Sequence, residues 1–158
     1  MKQLIIFFAI ILIAIILCRC DLGDRYSMTI LNNANHSIGF YLLLGSWMCY
    51  PDTLLPDTDF SVAKNLKSGS WTKILAYRRW EEVVTRLSGD TMSVFIFHSD
   101  TLNKYSWEEI RSEYMILRRY DLSSDDIVTL FNEYRVPEIP YPPDNRMRNM
   151  KMWPPYGK

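Results

Sequence analysis

Leu4 to Leu17 run for fourteen residues without a polar side-chain atom, and the run stops at Cys18-Arg19-Cys20-Asp21. As a helix it would reach roughly 21 Å, short of the roughly 30 Å hydrocarbon core of a bilayer. Met1-Lys2-Gln3 ahead of it supplies one positive charge, so the segment has the n-region and h-region of a secretory signal peptide. An uncleaved anchor is the alternative. No Ala-x-Ala-like cleavage site follows, but a cysteine directly after the apolar run is where bacterial lipoproteins are cut and acylated on the thiol. Residues 1–17 are therefore expected to be a lipoprotein signal peptide and Cys18 the lipidated mature N-terminus. Leu17 stands where a small residue is usual, and Cys20 fits less well because charged Arg19 precedes it. Residues 18–25 then form an acylated tether, and residues 26–158 a single globular domain with a proline-rich C-terminal tail.

The balance of 18 basic and 18 acidic side chains, with only 6 glycines, excludes a basic nucleic-acid-binding surface, a collagen-like chain and a disordered tail. Cys20 and Cys49 could pair in an oxidising envelope compartment, although free thiols are the preferred reading.

The start Cys18-Arg19-Cys20-Asp21-Leu22-Gly23-Asp24-Arg25-Tyr26, the segments from Phe95 to Ile110 and from Arg118 to Ser123, and the closing Lys151-Met152-Trp153-Pro154-Pro155-Tyr156-Gly157 resemble the small uncharacterised lipoproteins of Bacteroides and related gut bacteria. The resemblance covers most of the mature chain. It implies a lipid anchor and an envelope address, and transfers no catalytic residue. Asp52-Thr53-Leu54, Asp90-Thr91-Met92 and Asp100-Thr101-Leu102 also resemble the O-glycosylation signal of exported Bacteroides proteins, which makes Thr53, Thr91 and Thr101 candidate acceptors. The counter-reading is structural, because Asp-Thr pairs bond nearby backbone N–H groups at turns and helix starts.

Residue patterning places a β-hairpin at Tyr26–Leu31 and Ile38–Leu44, turning through Asn32-Asn33-Ala34-Asn35-His36. Ser46–Ser70 reads as a long loop with room for one short strand, and Trp71–Tyr77 as a strand. Two similar units follow: a helix opening at Arg79-Trp80-Glu81-Glu82 leads to a strand at Met92–His98, and one opening at Ser106-Trp107-Glu108-Glu109 leads to a strand at Tyr114–Tyr120. Both put paired glutamates in the first turn, where free N–H groups and the helix dipole favour negative charge. Ser106 and Glu109 have capping-box spacing. A third helix starts at Ser123 or Ser124 and ends near Asn132, and the proline-rich tail after Val136 should be extended or irregular. The expected class is α+β: a mostly antiparallel sheet of about six strands with three short helices. A doubly wound parallel sheet is the weaker alternative.

No spacing supports catalysis. The doublets Glu81-Glu82 and Glu108-Glu109 diverge by about 100° around a helix, so neither forms a glycosidase pair alone. His98-Ser99-Asp100 holds triad residue types, but consecutive residues rarely converge, and His36, His98 and Asp100 lack a metal-ligand spacing. No catalytic, cofactor-binding or metal residue is assigned. Trp47, Tyr50, Trp153 and Tyr156 are candidate stacking rings for a sugar or a protein partner, against the plainer reading that they cover the core. Function is read as a membrane-anchored envelope lipoprotein with a non-catalytic binding or structural module. Its partners are the membrane through the N-terminal lipid, an envelope protein or a glycan, and no nucleic acid. The alternative is a hydrolase of envelope or dietary polymers.

Overall fold

The computed structural model describes residues 26–44, 54–59 and 62–158. Among them the chain is α+β, with strands in two mostly antiparallel sheets and short helices around them. The smaller sheet holds β1 (Tyr26–Asn32) between β4 (Trp71–Ala76), which is antiparallel to it, and β7 (Glu138–Tyr141), which is parallel. The larger is antiparallel throughout, in the order β3 (Ala63–Leu66), β2 (Ile38–Leu43), β5 (Thr91–His98), β6 (Arg118–Ser123) and β8 (Lys151–Trp153). Four helices are described: α1 (Trp80–Val84), α2 (Ser99–Lys104), α3 (Trp107–Ser112) and α4 (Ser124–Thr129).

β5 is buried on both faces, and its sequence is accordingly a nearly unbroken apolar run rather than an alternation. Met92, Val94 and Ile96 point into the main core, which they share with Met28, Ile30 and Ile139 of the smaller sheet, Trp80 and Val84 of α1, Ile127 of α4 and Leu130 at its C-cap. Phe95 and Phe97 point the other way, into a second cluster with Leu43, Leu55, Leu102 and Ile110, so α2, α3 and the Leu55 segment cover the far face of the larger sheet. Fully burying each such side chain contributes roughly 1.5–3 kcal/mol.

The hairpin expected from Tyr26 to Leu44 is not formed. Both segments are strands, but β1 is central in one sheet and β2 pairs with β3 and β5 in the other. With both edges of β1 occupied by β4 and β7, no ladder groups remain for β2. The Asn-rich link is a corner between sheets, closed by Asn32: its Nδ2 donates to the His36 and Leu66 carbonyls at 2.8 and 2.9 Å, and its Oδ1 accepts from Ala34 N–H at 3.0 Å.

Other boundaries also move. Tyr114–Leu117 is a turn, with Tyr114 at φ 51°, so the strand expected from Tyr114 begins at Arg118. α2 was not expected; its N-cap is His98, whose Nδ1 accepts from Asp100 N–H at 3.1 Å. α4 ends at Thr129, short of Asn132. The proline-rich tail is extended, and it pairs: β7 is an edge strand, where Pro140 leaves no ladder bond unmade, and β8 adds to β6.

Candidate functional site

The lipidation candidate Cys18, the thiols Cys20 and Cys49, the rings Trp47 and Tyr50, and the acceptor candidate Thr53 lie outside the described residues. Thr91 opens β5 and its hydroxyl donates to the Gly89 carbonyl at 2.8 Å. Thr101 sits in the first turn of α2. The glutamates serve their helix starts. Glu109 Oε2 accepts from the Ser106 N–H and hydroxyl, both at 2.8 Å, and these bonds hold its carboxyl below the usual range. Glu81 pairs with Arg79 at 2.7 Å. In the tail, Trp153 packs edge-on against Tyr114 and the Tyr156 hydroxyl donates to Asn145 at 3.0 Å, so both rings are engaged within the domain.

The fold does bring His36 and His98 together, stacked with centroids 4.5 Å apart and planes 13° apart. Stacked rings direct their nitrogens alongside one another rather than toward a common point. His98 Nδ1 is spent on the start of α2, and no group of three or more His, Cys, Asp or Glu side chains among the described residues could hold a metal. The pair is a joint between elements.

A different surface has the character of a site. β1 and β4 alternate so that Met28, Ile30, Thr72 and Ile74 turn inward, while Ser27, Thr29, Leu31, Trp71, Lys73 and Leu75 share the outer face; the register sets Leu31 opposite Trp71 and Thr29 opposite both Lys73 and Glu138. No described element covers this face completely, and large apolar side chains are left open on it: Trp71 is 58% exposed, Leu75 53% and the adjoining Tyr134 77%. Tyr134 stands between two concavities. One, of about 380 Å³, is lined by Trp71, Tyr134, Thr29, Lys73, Asn132 and Glu138 among others. Lys73 Nζ lies 5.5 Å from the centre of the Trp71 ring, a cation–π distance. The other, of about 390 Å³, is lined by Tyr26, Arg79, Trp80, Tyr134 and Arg135 with neighbouring residues.

In the sequence Trp71 marks a strand start, and no local pattern distinguishes Tyr134, Arg79 or Arg135 as site residues. Exposed alternation along Trp71-x-Lys73-x-Leu75 was the available signal, because a strand whose outward positions are large and apolar leaves a surface to be covered. Comparison with protein-family models, curated proteins and solved structures gives no match.

Proposed function

We propose that the chain is a lipid-anchored envelope protein whose domain is a non-catalytic binding module, holding a glycan in the groove between Trp71 and Tyr134. The groove itself carries the binding part of this reading. Two exposed aromatic rings face one concavity together with an amide, an ammonium, a hydroxyl and a carboxylate from Asn132, Lys73, Thr29 and Glu138. Sugars present apolar C–H faces ringed by hydroxyls, so flat rings beside short hydrogen-bonding side chains match both parts of their surface. The anchor part rests on the apolar run ending at Cys18 and on the resemblance to small lipoproteins. The hydrolase alternative gains no support among the described residues, where the two histidines stack and the paired glutamates serve helix starts.

The test has two arms. Metabolic labelling with an alkynyl fatty acid is expected on the intact protein and lost in Cys18→Ala; labelling that survives there but vanishes in Cys20→Ala moves the site, and labelling unaffected by either change overturns the cysteine anchor. Titration with oligosaccharides of envelope and dietary polymers, followed by tryptophan fluorescence, is expected to show binding that weakens roughly fivefold in Trp71→Ala, the loss of about 1 kcal/mol of stacking. Absence of any glycan binding, with capture of an envelope protein that is lost in the same variant, would replace the sugar by a protein partner.

A further inference from the structure

We propose that the concavity between Arg79 and Arg135 seats the phosphate of an anionic phospholipid headgroup, so that the Tyr26 end of the domain rests on the membrane that carries the anchor. This rests on the lipid-anchor reading above. Seven residues, 19–25, separate Cys18 from the first residue of β1, eight Cα-to-Cα steps in all. Fully extended they reach at most about 29 Å, so the Tyr26 end is the part of the domain held closest to the lipid.

The chemistry at that end suits a headgroup region. Tyr26 pairs with Ala76, which brings Tyr77, Arg78 and Arg79 beside it, and Tyr77 is 80% exposed. Arg79 and Arg135 line the same concavity as Tyr26 and Tyr134. Arg79 is oriented by Glu81, whereas Arg78 and Arg135 have no ion-pair partner among the described residues. Among the charged side chains that line the concavity, Arg79 and Arg135 outnumber Glu81 by one. Two guanidinium groups at one concavity suit an anionic oxygen ligand, and tyrosines around it are the side chains that settle at a membrane interface. The Trp71 groove lies farther along β1: from Tyr26 to Leu31 is about 17 Å of strand, so a seated headgroup leaves that groove away from the tether.

The acylated full-length protein is reconstituted into vesicles of phosphatidylethanolamine with phosphatidylglycerol, and separately into phosphatidylcholine alone. Hydrogen exchange is followed over residues 77–80 and 134–137. Several-fold slower exchange in the anionic vesicles is expected, reduced by high salt and lost in the double variant Arg79→Gln/Arg135→Gln at an unchanged melting temperature. Equal exchange in the two vesicle types, with acylation of Cys18 confirmed by intact mass, overturns the docking and leaves the anchor standing. Protection by inorganic phosphate in detergent to the same extent overturns the membrane as the source, and protection that needs a second envelope protein assigns the patch to that protein instead. A mass without acyl groups removes the anchor, and the docking falls with it unless the unmodified protein still cosediments with the anionic vesicles.

Discussion

His36 stacks face to face on His98, joining the corner after β1 to the last residue of β5. The same His36 ring meets Tyr141 of β7 edge-on at 6.2 Å, so one imidazole in a turn touches a strand of each sheet. The contact explains how a five-residue link redirects the chain from one sheet to the other without a hairpin. The corner is fastened by ring packing and by the Asn32 side chain rather than by ladder bonds.

Removing one ring should therefore loosen the joint between sheets. His36→Ala and His98→Ala are each expected to destabilise, and a double-mutant cycle should return about 0.5–1.5 kcal/mol of coupling for the stacked pair. Chemical denaturation of the four proteins measures it. Strict additivity would show that the rings lie together without holding anything.

The tail gives a second expectation. The Arg118 guanidinium, 8% exposed, donates to the carbonyls of Pro154 at 2.6 Å and Lys158 at 2.7 Å. Truncation after Asn149 removes β8, both acceptors and the buried Met150 side chain. A loss of about 2–4 kcal/mol is expected, and Arg118→Met, which keeps the apolar stem, should cost less than the truncation. A melting curve unmoved by truncation would mean that the tail only decorates the sheet.

What was legible in the sequence was the local chemistry. The apolar run from Met92 to Phe97, interrupted only by Ser93, marked a strand, and Ser106 with Glu109 marked a helix start that the structure closes as a full capping box. Pairing partners were not legible, because Tyr26–Leu31 and Ile38–Leu44 carry equal strand character whether they meet each other or go to separate sheets. α2 escaped because its cap is a histidine, which has no ordinary capping signature. The candidate groove escaped for a topological reason. Trp71 and Tyr134 are far apart in the chain and share a concavity through the pairing of β4 and β7 on either side of β1, a long-range arrangement that no local pattern encodes.

Gly39 marks a close approach that only a missing side chain permits. A Cβ built there would collide with the Leu102 side chain of α2 and lie 2.8 Å from the Ala63 carbonyl oxygen of β3. Leu102 can shift, but backbone in a paired strand yields far less. Gly39→Ala is expected to cost about 1–3 kcal/mol and to loosen α2 first. Thermal melting reads the cost, and unchanged stability would show that β3 has room to move.

The last expectation concerns alkaline pH. Tyr120 is fully buried and its hydroxyl donates to the Pro140 carbonyl at 3.1 Å, tying β6 to β7 across the core. Burial pushes its phenol well above the ordinary tyrosine value, against the opposing pull of the Arg118 charge. The sign follows directly: the unfolded chain surrenders this proton near pH 10, while the folded state keeps it. The stabilisation is complete below about pH 10 and is lost as pH rises through the folded-state value. Burial also raises Tyr41 and Tyr141, so they add to the same slope. Tyr120→Phe should lower stability at neutral pH by about 1 kcal/mol through the lost hydrogen bond, and should flatten the alkaline fall without abolishing it. Denaturation midpoints on either side of pH 10 decide the matter. An alkaline slope identical in the two proteins would move its origin to Tyr41 and Tyr141 and away from the bond between the sheets.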